Sequence, residues 1–175
     1  MKIRQEVPDD YRVVFYVIEK AFENEEHSDH REQFLVERLR KSAAFVPELA
    51  LVAELDGAVV GYILLTKIQI INAHMRTTSL ALAPVAVLPA HQGKGVGGRL
   101  IKSAHEKAKE LGFGSVVLLG HENYYPRFGY RLAGNYGVKL PFAVPAENCM
   151  AIELVDGALS NISGVVEYPS EFNGY

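Results

Sequence analysis

The sequence predicts an α/β (α+β) fold: a mixed, mostly antiparallel central sheet with helices on both faces. Three observations carry this. Two apolar runs, Ala50 to Leu55 and Val59 to Ile71, flank Asp56-Gly57, a dipeptide that supplies the positive φ angles of a tight hairpin. Leu80 to Leu88 is nearly continuous apolar chain, as in a strand buried on both faces. Gly95 to Leu111 then places Val96, Leu100, Ile101, Ala104, Ala108 and Leu111 at helical spacing before a short apolar run, Val116 to Leu119. A helical crossover of that length joins parallel neighbours, with right-handed connection.

The remaining elements follow in order. Ile3 to Val7 alternates apolar and polar residues, as in a half-buried strand. Pro8-Asp9-Asp10 punctuates it, and Asp9 or Asp10 is positioned to cap a helix whose apolar face is Val14, Ile18, Ala21 and Phe22. The charged stretch Glu23 to His30 reads as a loop. Phe34, Leu35 and Leu39 predict a second helix. Gly112 ends the third helix at the αL position. Short strands are expected near Val138 and Ile152, among turns rich in Gly, Pro and Asn.

A chain of 175 residues is long enough for one sizeable core, and no linker or repeat divides it, so residues 1–175 are expected to form one domain. Hydrophobic residues make up 49% and charged residues 22%, which excludes a disordered or fibrous chain. A net charge of −3 argues against a broad basic face for nucleic acid. No apolar stretch approaches the roughly 20 residues of a membrane span, and MKIRQEVPDD has no apolar run behind its charges. The single cysteine, Cys149, fits a reducing compartment and reads as a small hydrophobe. A cytoplasmic location is expected, with no membrane or nucleic-acid partner.

The most informative stretch is Pro84-Val85-Ala86-Val87-Leu88-Pro89-Ala90-His91-Gln92-Gly93-Lys94-Gly95-Val96-Gly97-Gly98-Arg99. Gly93, Gly95, Gly97 and Gly98 open a helix just after a buried strand. Glycines let backbone approach a ligand and turn free N–H groups into one concavity. The helix N-terminus adds a partial positive charge of about half a unit. Together these form a phosphate site, with Lys94, Arg99 and Lys102 as nearby cations. Gly93, Gly95 and Gly98 also satisfy G-x-G-x-x-G, with Glu122 as the ribose-binding acid of a dinucleotide site. That alternative is the weaker one. Pro89 to Gln92 separate the motif from its strand, and the chain beyond Leu118 is too irregular for a second βαβ half.

The run Gln92-Gly93-Lys94-Gly95-Val96-Gly97 resembles the Gln/Arg-x-x-Gly-x-Gly/Ala motif of the GNAT superfamily of N-acetyltransferases. Val85-Ala86-Val87-Leu88-Pro89 is similar to that family's fourth strand and its exit. Tyr125-Pro126-Arg127-Phe128-Gly129-Tyr130 resembles its Tyr-x-x-x-Gly-aromatic signature. The resemblance implies a GNAT-like sheet with splayed fourth and fifth strands, and acetyl-CoA (coenzyme A) as cosubstrate without a metal. It also implies acetyl transfer to a primary amine by direct attack in a ternary complex. Backbone groups of Val85, Ala86 and Val87 would pair with pantetheine amides, as an added strand does. The loop from Gln92 through Gly93, Lys94, Gly95, Val96, Gly97 and Gly98 would hold the pyrophosphate, with Gln92 bracing it.

By the same resemblance, a main-chain N–H of Val87 would stabilise the oxyanion, and Tyr125 would protonate the leaving thiolate. Tyr124 is the competing donor, because Pro126 disfavours a helical conformation at Tyr125. Glu122, His121 and Glu54 are candidate general bases, and an ordered water chain is another; none is singled out. The asparagine this family often carries seven residues before its tyrosine is replaced by Leu118. The acidic loop Glu23 to Asp29 reads as a solvated charge run that can attract a cation. Residues 133–175 are expected to wall the acceptor pocket or to make a homodimer contact. A non-catalytic acetyl-CoA-binding regulatory module is the other function class.

Overall fold

The computed structural model describes residues 1–173; Gly174 and Tyr175, the end of the segment expected to wall a pocket or dimer contact, lie outside them. The chain forms a mixed, mostly antiparallel nine-stranded sheet flanked by helices on both faces. Its strands are β1 (Lys2–Gln5), β2 (Ala50–Leu55), β3 (Ala58–Ile71), β4 (Arg76–Val87), β5 (Ser115–Leu119), β6 (Arg131–Leu132), β7 (Val138–Lys139), β8 (Cys149–Glu153) and β9 (Gly164–Glu167). The helices are α1 (Tyr11–Phe22), α2 (Glu32–Leu39) and α3 (Val96–Glu110). The main sheet runs β1-β2-β3-β4-β5-β8-β6, while β9 pairs with both β3 and β7.

The hairpin between β2 and β3 turns at Asp56 and Gly57, whose φ angles are 50° and 82°, as its dipeptide predicts. The crossover β4–α3–β5 joins parallel strands. It is the single helical crossover among the described residues, so the two wound halves of a dinucleotide fold are absent there. α3 packs one face of the sheet, burying Val96, Leu100, Ile101, Ala104 and Ala108 against Ile63, Leu65, Leu80 and Leu118. α1 and α2 cover the other face through Val14, Val17, Ile18, Val36 and Leu39. Farther along that face, Ile68 and Ile70 of β3 pack with Ala151, Leu159 and Val166.

Several local expectations are corrected. Asp10 does stand at the N-cap of α1, but its carboxylate turns back, accepting the Val7 N–H (2.8 Å) and pairing with Arg4 (2.7 Å). Phe34 lies outside the buried stripe of α2, which is Gln33, Val36 and Leu39. Leu111 is exposed at the end of α3. The strands β6 and β9 have no counterpart in the sequence pattern; β9 is held by antiparallel pairing with Gln69–Ile71. α2 is fastened to β1 by a nearly buried ion pair between Arg40 and Glu6, with the Arg40 guanidinium 3.9 Å above the Tyr11 ring.

Candidate active site

The parallel ladder between β4 and β5 has two paired positions, Leu80 with Val116 and Ala81 with Val117. Beyond them the strands part. β4 stays on β3, where Val85, Ala86 and Val87 oppose Ile63, Tyr62 and Gly61. β5 stays on β8, where Leu118 and Leu119 oppose Met150 and Cys149. The β3–β4 register shifts between Ile63 and Leu65, leaving Ala83-Pro84 as extra chain on β4. A bulge bends its strand, and Pro84 has no N–H to give a ladder.

The splay leaves one edge of β4 without a strand. Leu88 N–H bonds Val60 O at 2.9 Å, and backbone groups alternate in direction along an antiparallel strand. The N–H and C=O groups of Ala86 therefore face β3, whereas those of Val85 and Val87 face the gap. This corrects the equal treatment of all three as open pairing groups. Gln92 Nε2 donates to Val87 O at 2.9 Å, tying the following loop to the end of the strand.

That loop passes through a 3₁₀ turn, Pro89–His91, and reaches α3 with Gly93 and Gly95 at φ 72° and 82°. A Cβ at either glycine would meet nothing within 4 Å. The loop thus presents an open concavity, and the first-turn N–H groups of α3 lie beside it without intrahelical partners. Lys94 and Lys102 are exposed near it. Arg99 is turned elsewhere, donating to Met1 O at 3.2 Å. Gly97 and Gly98 serve another purpose: Tyr124 Oη lies 2.9 Å from the place of a Gly97 Cβ, and Phe128 lies 3.3 Å from that of Gly98.

Tyr124 and Tyr125 have different surroundings. Tyr124 is half-buried over the first turn of α3, with the Arg127 guanidinium 4.8 Å above its ring. Tyr125 is 8% exposed and packs edge-on to both Tyr124 and Tyr130, at 5.0 and 5.7 Å. A Cβ on Gly120 would stand 2.4 Å from the Tyr125 ring, so the bare backbone at the end of β5 makes room for it. Asn148 clamps this glycine, accepting its N–H at 2.9 Å and donating to its carbonyl at 3.0 Å. Among the described residues the Tyr125 hydroxyl has no hydrogen-bond partner, and burial pushes its pKa well up. Tyr130 is hydrogen-bonded to His105 of α3 at 2.8 Å. Burial pulls His105 down to about 4.

On the α1–α2 face, a cavity of about 900 Å³ opens directly onto the splay. Ala81, Leu82 and Ala83 of β4 and Val117, Leu118 and Leu119 of β5 form its floor, and residues from 27–35, 141–142 and 165–173 form its walls. The bases suggested by sequence are not among its lining: Glu54 pairs with Arg4 at 2.8 Å, and His121 and Glu122 are exposed in the turn after β5. Glu32 does line it. Sequence reasoning missed Glu32, Gly120 and Asn148. The acidic character of the loop before α2 is the one signal that pointed near Glu32. Cys149 is partly exposed, and burial raises its thiol, the opposite of an activated nucleophile. Among the described residues no group of three His, Cys, Asp or Glu side chains is placed to hold a metal ion, and no helix is long and apolar enough to cross a membrane.

The same overall fold is found in known proteins. The model of the Acetyltransferase (GNAT) family matches residues 14–130. The chain belongs to the GNAT acetyltransferase family. It is a transferase of that family, similar over its whole length, at 29% identity, to the uncharacterized N-acetyltransferase YhbS of Escherichia coli K12. It is 39% identical to YjhQ of the same organism over 119 residues, 67% of this chain and 66% of YjhQ. The crystal structure of E. coli YhbS in complex with CoA superposes on this GNAT chain with a TM-score of 0.89 at 28% identity, covering 99% of this chain and 92% of YhbS. A GNAT acetyltransferase from Brucella melitensis in complex with acetyl-CoA gives a TM-score of 0.80 at 31% identity, covering 98% and 97%.

Proposed function

We propose that the chain, as one domain over residues 1–175, binds acetyl-CoA in the β4–β5 splay and transfers the acetyl group to a primary amine. The carrying observation is the end of the β4–β5 ladder at Ala81 and Val117, with Val85 and Val87 facing the gap and the glycine loop at its end. The pantetheine amides pair with the N–H and C=O of Val85, which otherwise lack a strand, and with the second lone pair of Val87 O, whose first accepts from Gln92. The pyrophosphate sits on the loop from Gln92 to Gly98 and the α3 N-terminus, with Lys94 alongside. Ala86 and Val96 contribute by holding the strand and the helix start in place, since both are buried. Bound acetyl-CoA would supply an activated thioester, and the protein supplies position and hydrogen bonds.

The amine attacks the thioester carbonyl from the cavity side, in a ternary complex. Val87 N–H donates to the developing oxyanion. The C–S bond breaks and the sulfur leaves as a thiolate, whose thiol has a pKa of about 8.5 by analogy with cysteine. Tyr125 donates its proton toward that sulfur, supported by its unpartnered hydroxyl near the end of β5, while the attacking nitrogen gives up a proton to water in the cavity and solvent reprotonates Tyr125. A reducing, cytoplasmic setting is part of the same reading, in keeping with one unpaired cysteine.

Titration calorimetry with acetyl-CoA and with NAD tests the cofactor: micromolar binding of acetyl-CoA and none comparable of NAD is expected. The reverse preference overturns the reading. Release of free thiol only when an amine is added distinguishes the enzyme from a binding module.

A further inference from the structure

The cavity on the α1–α2 face has a composition that selects among amines, and its use here rests on the acetyltransferase reading above. We propose that it takes a primary amine attached through a short chain to an aromatic or comparably apolar body, with the Glu32 carboxylate drawing in the ammonium.

The larger part of the lining is apolar, with His27, Asp29, Arg31, Glu32, Glu167 and Asn173 as its polar members. Leu35 of α2, Leu82 and Leu119 of the splay, and the three rings Phe142, Tyr168 and Phe172 all face the space. The rings form a continuous ladder: Phe142 and Tyr168 stack at 5.8 Å with 17° between their planes, and Tyr168 meets Phe172 at 4.9 Å. Arg38 donates to Glu171 O at 3.0 Å, which pins the end of this wall to α2. The ladder lies outside residues 14–130, the span matched by the family model.

Glu32 is the ionic feature. Its Oε1 accepts from the Ser28 hydroxyl. Its Oε2 is buried without a hydrogen-bond partner among the described residues. A buried carboxylate oxygen left unpaired is unfavourable, and a turn of the Glu32 side chain toward the cavity it lines would let an ammonium group satisfy it. The other charges do not substitute for it. Arg31 carries its guanidinium 5.2 Å above the Phe34 ring. Glu167 pairs with Arg76 at 2.9 Å on the surface. Asp29 accepts the Arg31 N–H at 2.9 Å and adds negative charge near the mouth. The balance disfavours an amino-acid carboxylate. A polyamine would carry its inner cations past Leu35, Leu82, Leu119 and the three rings, where each loses hydration away from the carboxylates. A volume of about 900 Å³ is within the usual range for a site enclosing an aromatic body.

The test uses the full chain with acetyl-CoA and follows thiol release with 2-phenylethylamine, n-butylamine, spermidine and glycine. The expected order places 2-phenylethylamine first, with kcat/KM about tenfold or more above spermidine and glycine. Glu32→Gln and Phe142→Ala are each expected to raise the KM for 2-phenylethylamine about tenfold. The acetyl-CoA affinity by calorimetry should stay unchanged, which also reports that each variant is folded. Preference for spermidine or glycine overturns the inference, as does an unmoved amine KM in both variants. If acetyl-CoA binds and 2-phenylethylamine is not acetylated, the inference falls while the cofactor reading stands. If acetyl-CoA does not bind at all, the acetyltransferase reading falls and takes this one with it.

Discussion

Two adjacent tyrosines with the same hydroxyl have been placed by the fold in different work. Tyr124 reaches over Gly97 at the start of α3, and Tyr125 is wedged beside Gly120 at the end of β5. Removing one oxygen from each separates the roles. Tyr125→Phe should lower kcat by roughly 10- to 100-fold, toward the lower figure, because its raised pKa makes full transfer to a thiolate uphill. Acetyl-CoA affinity should hardly move. Tyr124→Phe should leave the rate of single-turnover chemistry within a few-fold of the parent. If Tyr124→Phe is the damaging change and Tyr125→Phe is silent, the register taken from Gly129 is wrong by one. His105 gives a second expectation. Its imidazole is held near 4 in the folded chain, against 6.5 for the unperturbed group, so the unfolded state binds the extra proton between those values. Stability is full above about pH 6.5 and is lost as pH falls toward 4, by up to roughly 3 kcal/mol. Denaturant midpoints at pH 7 and pH 4.5 should converge more for His105→Gln than for the parent; equal slopes would remove His105 as the cause.

Loop and helix together form the phosphate site, so its test belongs to the element. Gly95 sits at φ 82° with open space where a Cβ would project. Gly95→Asp and Gly95→Asn incur a similar backbone cost, roughly 1–2 kcal/mol. They differ in charge alone. Both should remain folded, and Gly95→Asp should bind acetyl-CoA at least about tenfold more weakly than Gly95→Asn, since like charges repel in a partly desolvated loop. Equal affinities would place the pyrophosphate elsewhere. This element was also the most legible one. Four glycines between a buried strand and an apolar helical stripe point to backbone that a ligand approaches closely, and Gly112, at φ 92°, stops that helix where expected. The cap of α1 was less legible, because Asp10 has the residue type of a forward cap while Arg4 and Val7 offer it better partners behind.

For the whole molecule, what the sequence revealed was local and what it hid was assembled from afar. The β2–β3 hairpin and the β4–α3–β5 crossover are contiguous in the chain, and each carries its own signal. The splay came from the family resemblance, since no periodicity marks where a ladder stops. β9 makes three residue pairs with β3, whose partner residues lie far away in sequence. The cavity combines six separated stretches, and Glu32 acquires its meaning there only from its neighbours. Net charge and the lack of a long apolar run gave the expectation against nucleic-acid and membrane partners, from composition alone.

The parting of β4 from β5 has a consequence for traffic. A sheet is ordinarily a partition, and a gap in its hydrogen bonding turns one stretch of it into a passage with two mouths. The glycine loop stands at the mouth on the α3 side, and the cavity forms the mouth on the α1–α2 side. Under the proposed function, nucleotide and amine arrive from opposite directions and meet only at the narrowest point. Neither must depart for the other to enter, and the acetylated product and the spent thiol can each retreat by its own route.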